Sequence, residues 1–185
     1  IHLGVEKTLI GNNFNCHHII VEDWDELENE KGVIFVSIPT LLDSSLAPEG
    51  KHIIHAFTPS SIVEWEGLSR KEYLQKKEEY YSFLIEKISR LLPNLDQNID
   101  HKEIGTPKTH KKFLGRYDGT YGPIPNKKLL GLLPMPFNTT KIKNLYCVGD
   151  SCFPGQGLNA VAFSGFACAH KIGSKLKVNS FELPD

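Results

Sequence analysis

Leu145-Tyr146-Cys147-Val148-Gly149-Asp150, then Ser151-Cys152-Phe153-Pro154-Gly155-Gln156-Gly157, then Leu158-Asn159-Ala160-Val161 running on to His170, is the most informative stretch of this 185-residue chain. Its order predicts a short strand, a glycine-bearing loop headed by one carboxylate, and a helix of small residues. A strand that reaches a helix N-terminus through such a loop presents backbone N–H groups and the positive end of the helix dipole to an anion or a polarised carbonyl. Gly149 has no Cβ, so a ligand can lie against its backbone, and Gly155 and Gly157 let the loop fold back. Along the helix Val161, Gly165 and Ala169 recur every fourth residue. With Ala162, Ser164 and Ala167 they allow close backbone approach, and Gly173 reads as the C-terminal stop.

Two readings fit the loop. In the first, the Asp150 carboxylate accepts hydrogen bonds from ribityl or ribose hydroxyls, since beside a diphosphate it would be repelled. The amides around Leu158, Asn159 and Ala160 then face the anionic edge of a reduced ring system such as a flavin. In the second, the glycines serve a tight turn and Asp150 caps it.

Toward the N-terminus, Gly105 to Pro136 is dense in glycine, proline and small polar residues and reads as irregular chain linking two parts of a fold. Before it, a long helix is predicted after Ser69 as N-cap, with Leu74, Tyr81, Leu84, Ile85, Ile88, Leu91 and Leu92 at spacings of three and four, ending at Pro93. Lys76, Lys77, Glu78, Glu79, Glu86 and Lys87 make its other face polar, as on a helix packed against a domain. Val33 to Ser37 and His52 to Thr58 read as neighbouring strands joined by a long loop, and His17 to Val21 as a third. The acidic run Glu22, Asp23, Asp25, Glu26, Glu28 and Glu30 reads as solvated loop. Ile1-His2-Leu3-Gly4 looks like the middle of a strand, so the expectation is a piece of a longer protein, with any targeting segment upstream.

Composition narrows the classes. Twenty-one basic and 22 acidic side chains give a net charge of -1, without a basic stripe carrying interleaved aromatics, so nucleic acid is not the expected partner. Apolar runs such as Val33 to Val36 and Leu129 to Leu133 fall well short of the ~18 residues that cross a bilayer. Cys16, Cys147, Cys152 and Cys168 form no CxxC pair, which fits a reducing compartment, and Cys147 and Cys168 read as small hydrophobes within apolar runs. His52 and His55 point to opposite faces of their strand, as do His17 and His18 of theirs, so no shared metal is expected.

The residues Tyr146 to Gly157, continued by Asn159-Ala160-Val161-Ala162-Phe163-Ser164-Gly165 and Cys168-Ala169-His170, closely resemble the C-terminal flavin motif of plant and cyanobacterial carotenoid isomerases. These belong with the bacterial-type, phytoene desaturase-like flavoproteins. The resemblance extends over Val36-Ser37-Ile38-Pro39 through Leu46-Ala47-Pro48, His52 to Ala56, Trp65-Glu66-Gly67-Leu68, Gly105-Thr106-Pro107 with Thr109-His110, and Gly119-Thr120-Tyr121-Gly122-Pro123.

It implies an α/β fold, in which this chain is the C-terminal part of a two-domain, Rossmann-like FAD-binding flavoprotein. Residues 1–125 would belong to a substrate domain of mixed sheet and helix, 126–140 to a linker, 141–175 to the returning segment of the FAD domain and 176–185 to a tail. The family's GxGxxG fingerprint is absent from this chain and would lie upstream. The implied activity is FAD-dependent cis-to-trans isomerisation of poly-cis lycopene (prolycopene) with reduced flavin and no net oxidation, in a plastid and with peripheral membrane contact. By the same likeness Gly149, Asp150, Gly157, Leu158, Asn159 and Ala160 would touch FAD, and His110 lies toward the substrate side. A lipophilic carotenoid needs an apolar tunnel, for which Phe57, Trp65, Phe113 and Tyr121 are candidates. A desaturase or retinol saturase of the same fold and an inactive scaffold stay open as alternatives.

Overall fold

The computed structural model describes residues 1–11, 13–27, 29–120, 122 and 135–178. The chain divides into two compact units, Ile1–Gly119 and Thr120–Asp185.

The first unit is built on five strands: β1 (His2–Glu6), β2 (His17–Val21), β3 (Val33–Ser37), β4 (Lys51–Phe57) and β5 (Ile99–Glu103), in the order β2-β3-β4-β1-β5. Every pairing is antiparallel, so the sheet itself is not a mixture of directions, although sheet and helix are combined as expected. Strand alternation sends Leu3, Val5, Ile34, Val36, Ile54 and Ala56 to one face, where each is 2% exposed or less. Onto this face packs α1 (Arg70–Ile88), contributing Leu84 and Ile88, with Leu92 and Leu95 from the turns beyond it.

α1 begins as the sequence requires. The Ser69 side chain accepts from the Glu72 amide while the Glu72 carboxylate accepts from the Ser69 amide, a reciprocal cap. Its apolar stripe is shifted from the expected one: Tyr80 is buried and Leu74 is half exposed, at 50%. Tyr80 instead packs on Trp65, with ring centroids 5.3 Å apart. Glu22, expected as part of a solvated loop, clamps the helix through Lys87 (2.6 Å) and Arg90 (3.1 Å). Most of the remaining acidic run is exposed, and Glu28 lies outside the described residues.

Two further elements were not expected from the sequence, β5 just before the stretch read as irregular from Gly105 and α2 (Pro107–Leu114) within it. β5 pairs with β1, and α2 starts on a second reciprocal cap between Thr106 and Thr109 with proline at its first turn. Leu129 to Leu133, Tyr121 and residues 179–185 of the tail lie outside the described residues. In the second unit α3 runs from Leu158 to Leu176. Gly173 does not end it; Gly173 is buried inside the helix, and Lys177 closes the end in the left-handed conformation (φ 54°).

Candidate functional site

The stretch before α3 is not the expected strand. Within the described residues its only sheet-like contact is the Thr139–Tyr146 bridge, and the chain is held by other means. The Cys147 amide donates to the Asn138 carbonyl (2.9 Å), and the Asn138 side-chain amide reaches the carbonyls of Cys147 (3.0 Å) and Ser164 (3.3 Å) and the Ser164 hydroxyl (3.1 Å). The same Ser164 hydroxyl accepts from the Gly149 amide at 3.3 Å. Ser164 is fully buried on α3, so the head of the glycine loop is fastened to the helix into which its foot continues.

That foot is Gly157, whose φ of 101° and ψ of 152° suit glycine alone, and Gly149 has a φ of 110°. A Cβ built at either position would meet nothing within 4 Å, so the backbone at both points lies open to a flat ligand. No side chain caps α3; Val161 donates the first helical bond, to the Gly157 carbonyl, which leaves the amides of Leu158, Asn159 and Ala160 ahead of the ladder. Leu158 is 82% exposed and Asn159 is exposed too. Asp150 is half-buried beside Ser151, whose hydroxyl donates to it at 3.4 Å. Thus all six expected cofactor contacts lie on one open loop and the first turn of one helix. Burial pushes the Cys152 thiol up, with Cys147 and Asp150 adding to the effect.

A second feature belongs to the first unit. The sheet face away from α1 carries an apolar groove of about 910 Å³ lined by Ile19, Val21, Trp24, Leu27, Val33, Phe35 and Pro59. Phe57 stacks on Phe35 with centroids 4.9 Å apart. On the same face one register row crosses all five strands as His17, Ser37, His55, His2 and Glu103. His17 and Ser37 share a 3.0 Å hydrogen bond, and His2 stacks on His55 with centroids 4.4 Å apart. Burial, then neighbouring His2, pushes His55 down to about 4, so His55 stays neutral near pH 7, and burial lowers His2 as well.

No family model matches the chain. Individual proteins do. The chain is 55% identical over 178 residues, 95% of its length, to "Prolycopene isomerase, chloroplastic" of Arabidopsis thaliana. It is 57% identical over 180 residues, 96% of its length, to "Prolycopene isomerase 1, chloroplastic" of an Oncidium hybrid cultivar. The chain is homologous to one part of the plant prolycopene isomerases. It spans only 30% and 31% of those two relatives' own lengths. More distantly, it is 29% identical over 164 residues, 85% of its length and 31% of the relative's, to a 4,4'-diapolycopen-4-al dehydrogenase of Metabacillus indicus.

Within this chain the expected tunnel aromatics separate. Phe57 flanks the open groove, whereas Trp65 is 2% exposed and belongs to packing between Tyr73 and Tyr80. Phe113 is 72% exposed on α2, and Tyr121 lies outside the described residues. His52 is a satisfied core histidine, 2.8 Å from the Thr40 hydroxyl, and His55 occupies the opposite face as expected. His110 is half-buried on α2. All four cysteines are free; Cys168 is buried as expected, but Cys147 is exposed. The fastening roles that sequence reading missed are those of Asn138 and of Ser164, which was read only as a small helix residue. A polar serine two turns into a helix of small residues is the signal that marked the second, because such a side chain needs a partner when buried.

Proposed function

We propose that this chain supplies the substrate sheet and the ring-binding loop of a flavin-dependent carotenoid isomerase that converts poly-cis lycopene to its all-trans form. The observation that carries the reading is the open glycine loop running into an uncapped helix N-terminus. The residues fit FAD: nothing fills the space beside Gly149 or Gly157, and the leading amides of α3 suit an anionic ring edge. Gly149, Asp150, Gly157, Leu158, Asn159 and Ala160 would hold it, with Asp150 accepting from a ribityl or ribose hydroxyl. When bound in its reduced form, FAD supplies electron density that transiently lowers the double-bond character of a polyene.

The chain's own part is to position and to exclude. A carotenoid offers no ionisable handle, so the groove of Ile19, Trp24 and Phe35 with neighbouring Phe57 would hold it by apolar contact and keep water away. In this reading residues 1–125 form the substrate part, 126–140 the linker, 141–175 the returning segment of the FAD domain and 176–185 a tail. The names of the plant relatives support a plastid location, and the lipophilic substrate supports contact with a membrane surface.

The experiment expresses this chain joined to the remaining segment of a plant relative and records flavin absorbance with and without Gly157→Ala. Flavin uptake that the substitution lowers at least tenfold is expected; uptake by neither protein assigns the chain to a non-catalytic scaffold. Tetra-cis lycopene is then supplied anaerobically with reduced FAD. An all-trans product with unchanged hydrogen count is expected, and a product with fewer hydrogens would assign the chain to dehydrogenation instead.

A further inference from the structure

A cleft of about 370 Å³ lies between the start of α1 and α2, lined by Leu68, Arg70, Tyr73, Lys108, Lys112 and Phe113 among others. Among the described residues Arg70, Lys108 and Lys112 make no ion pair, while neighbouring Lys111 is shared by Glu66 and Asp118, each at 3.7 Å. α2 carries three lysines and no acidic side chain, in a chain whose net charge is -1, so the positive field here is local. Beside it the tip of α2 holds apolar groups in water: Phe113 is 72% exposed, Leu114 63% and Tyr117, just beyond, 81%. Unneutralised cations next to projecting aromatic and aliphatic side chains match a bilayer surface, where the charges meet headgroups and the apolar tips enter the acyl boundary. A nucleic acid would use the lysines and leave Phe113 and Leu114 in water.

We propose that the cleft of Arg70, Lys108 and Lys112 together with the Phe113–Leu114 tip of α2 is the surface by which this protein docks on an anionic lipid bilayer. For its biological use this rests on the lipophilic substrate of the reading above, which it deepens by naming the contact. Its test needs no flavin. The full chain is floated with vesicles of phosphatidylcholine alone or with about 30% phosphatidylglycerol. Binding to the anionic vesicles, weakened by salt and absent with phosphatidylcholine alone, is expected. The triple variant R70Q/K108Q/K112Q should lower the partition roughly a hundredfold at about one tenfold-or-less step per charge. Phe113→Ser with Leu114→Ser should lower it at least about tenfold through lost apolar burial. Lys141→Gln with Lys143→Gln, exposed in the second unit, should leave it unchanged.

Equal binding to both vesicle types, or full binding by the triple variant with its helix content intact by circular dichroism, overturns the proposal. So does self-association that Phe113→Ser abolishes, since the occupant would then be a second copy. If the chain floats while the joined protein takes up no flavin, this surface stands and the isomerase reading falls; if the joined protein takes up flavin while the chain never floats, the reverse holds.

Discussion

The two units of this molecule are held together by different forces. In the first, the core is a continuous set of aliphatic side chains centred on β1, β3, β4 and α1, and residues such as Val5, Ile34, Ile54 and Ile88 are fully buried. In the second, the described buried groups are small or polar, Ser164, Cys152, Cys168, Gly155 and Gly173, and the loop is tied down by hydrogen bonds from Asn138 and to Ser164. Meanwhile Leu158, Phe163 and Phe166 of α3 stand 55% exposed or more. Burial makes a rigid plate; polar fastening holds a backbone in a special conformation while leaving its surface open to something else.

That contrast can be broken most severely in the first unit. Ile54→Ala removes a fully buried side chain from the centre of the sheet and should cost about 2–5 kcal/mol in urea unfolding. A change under about 1 kcal/mol would mean that the plate is not what stabilises the protein. Ser164→Ala should cost less, about 1–3 kcal/mol, because the Gly149 amide and the Asn138 side chain each lose a buried acceptor. Its sharper signature is hydrogen exchange: faster at Gly149, unchanged in β1 and β4.

Acid should separate the units again. His55 is held near 4 in the fold by burial and by His2, while in the unfolded chain it titrates at the ordinary 6.5. The unfolded state therefore binds more protons between these values, so the first unit keeps this stability above pH 6.5 and loses it as pH falls toward 4. His55→Phe, which can stack with Phe35 and Phe57 on the same face, should flatten the pH dependence of urea unfolding across that window. An unaltered profile would remove His55 as its source. The smallest effect belongs to Leu158→Ala: at 82% exposure it should change stability by no more than about 0.5 kcal/mol. A larger loss would show that the first turn of α3 is packed rather than open.

Much of this fold is legible in the sequence. Val33 to Ser37 and His17 to Val21 carried the enrichment of strands, and Ser69 with Glu72 the signature of a helix start. β5 was not readable, because Ile99–Glu103 is mostly polar and exposed and owes its conformation to pairing with β1. α2 lacked an aliphatic stripe, although Thr106 and Pro107 announced its first turn. Tyr146 to Val148 failed in the opposite sense: strand-like residues without a partner strand among the described residues form a single bridge at Tyr146 and no strand.

By itself, then, the order of residues determined the glycines that allow positive φ, the caps that start helices and the kinship with carotenoid isomerases, because each is written in side-chain identity over a few positions. Only the tertiary structure decided which aromatics are core and which line an open face. It also decided that a buried serine on α3 holds the loop, and that the loop remains uncovered by its own side chains. These depend on which distant residues meet, and pairing over long separations is set by the packing of the whole sheet and helix rather than by any local pattern.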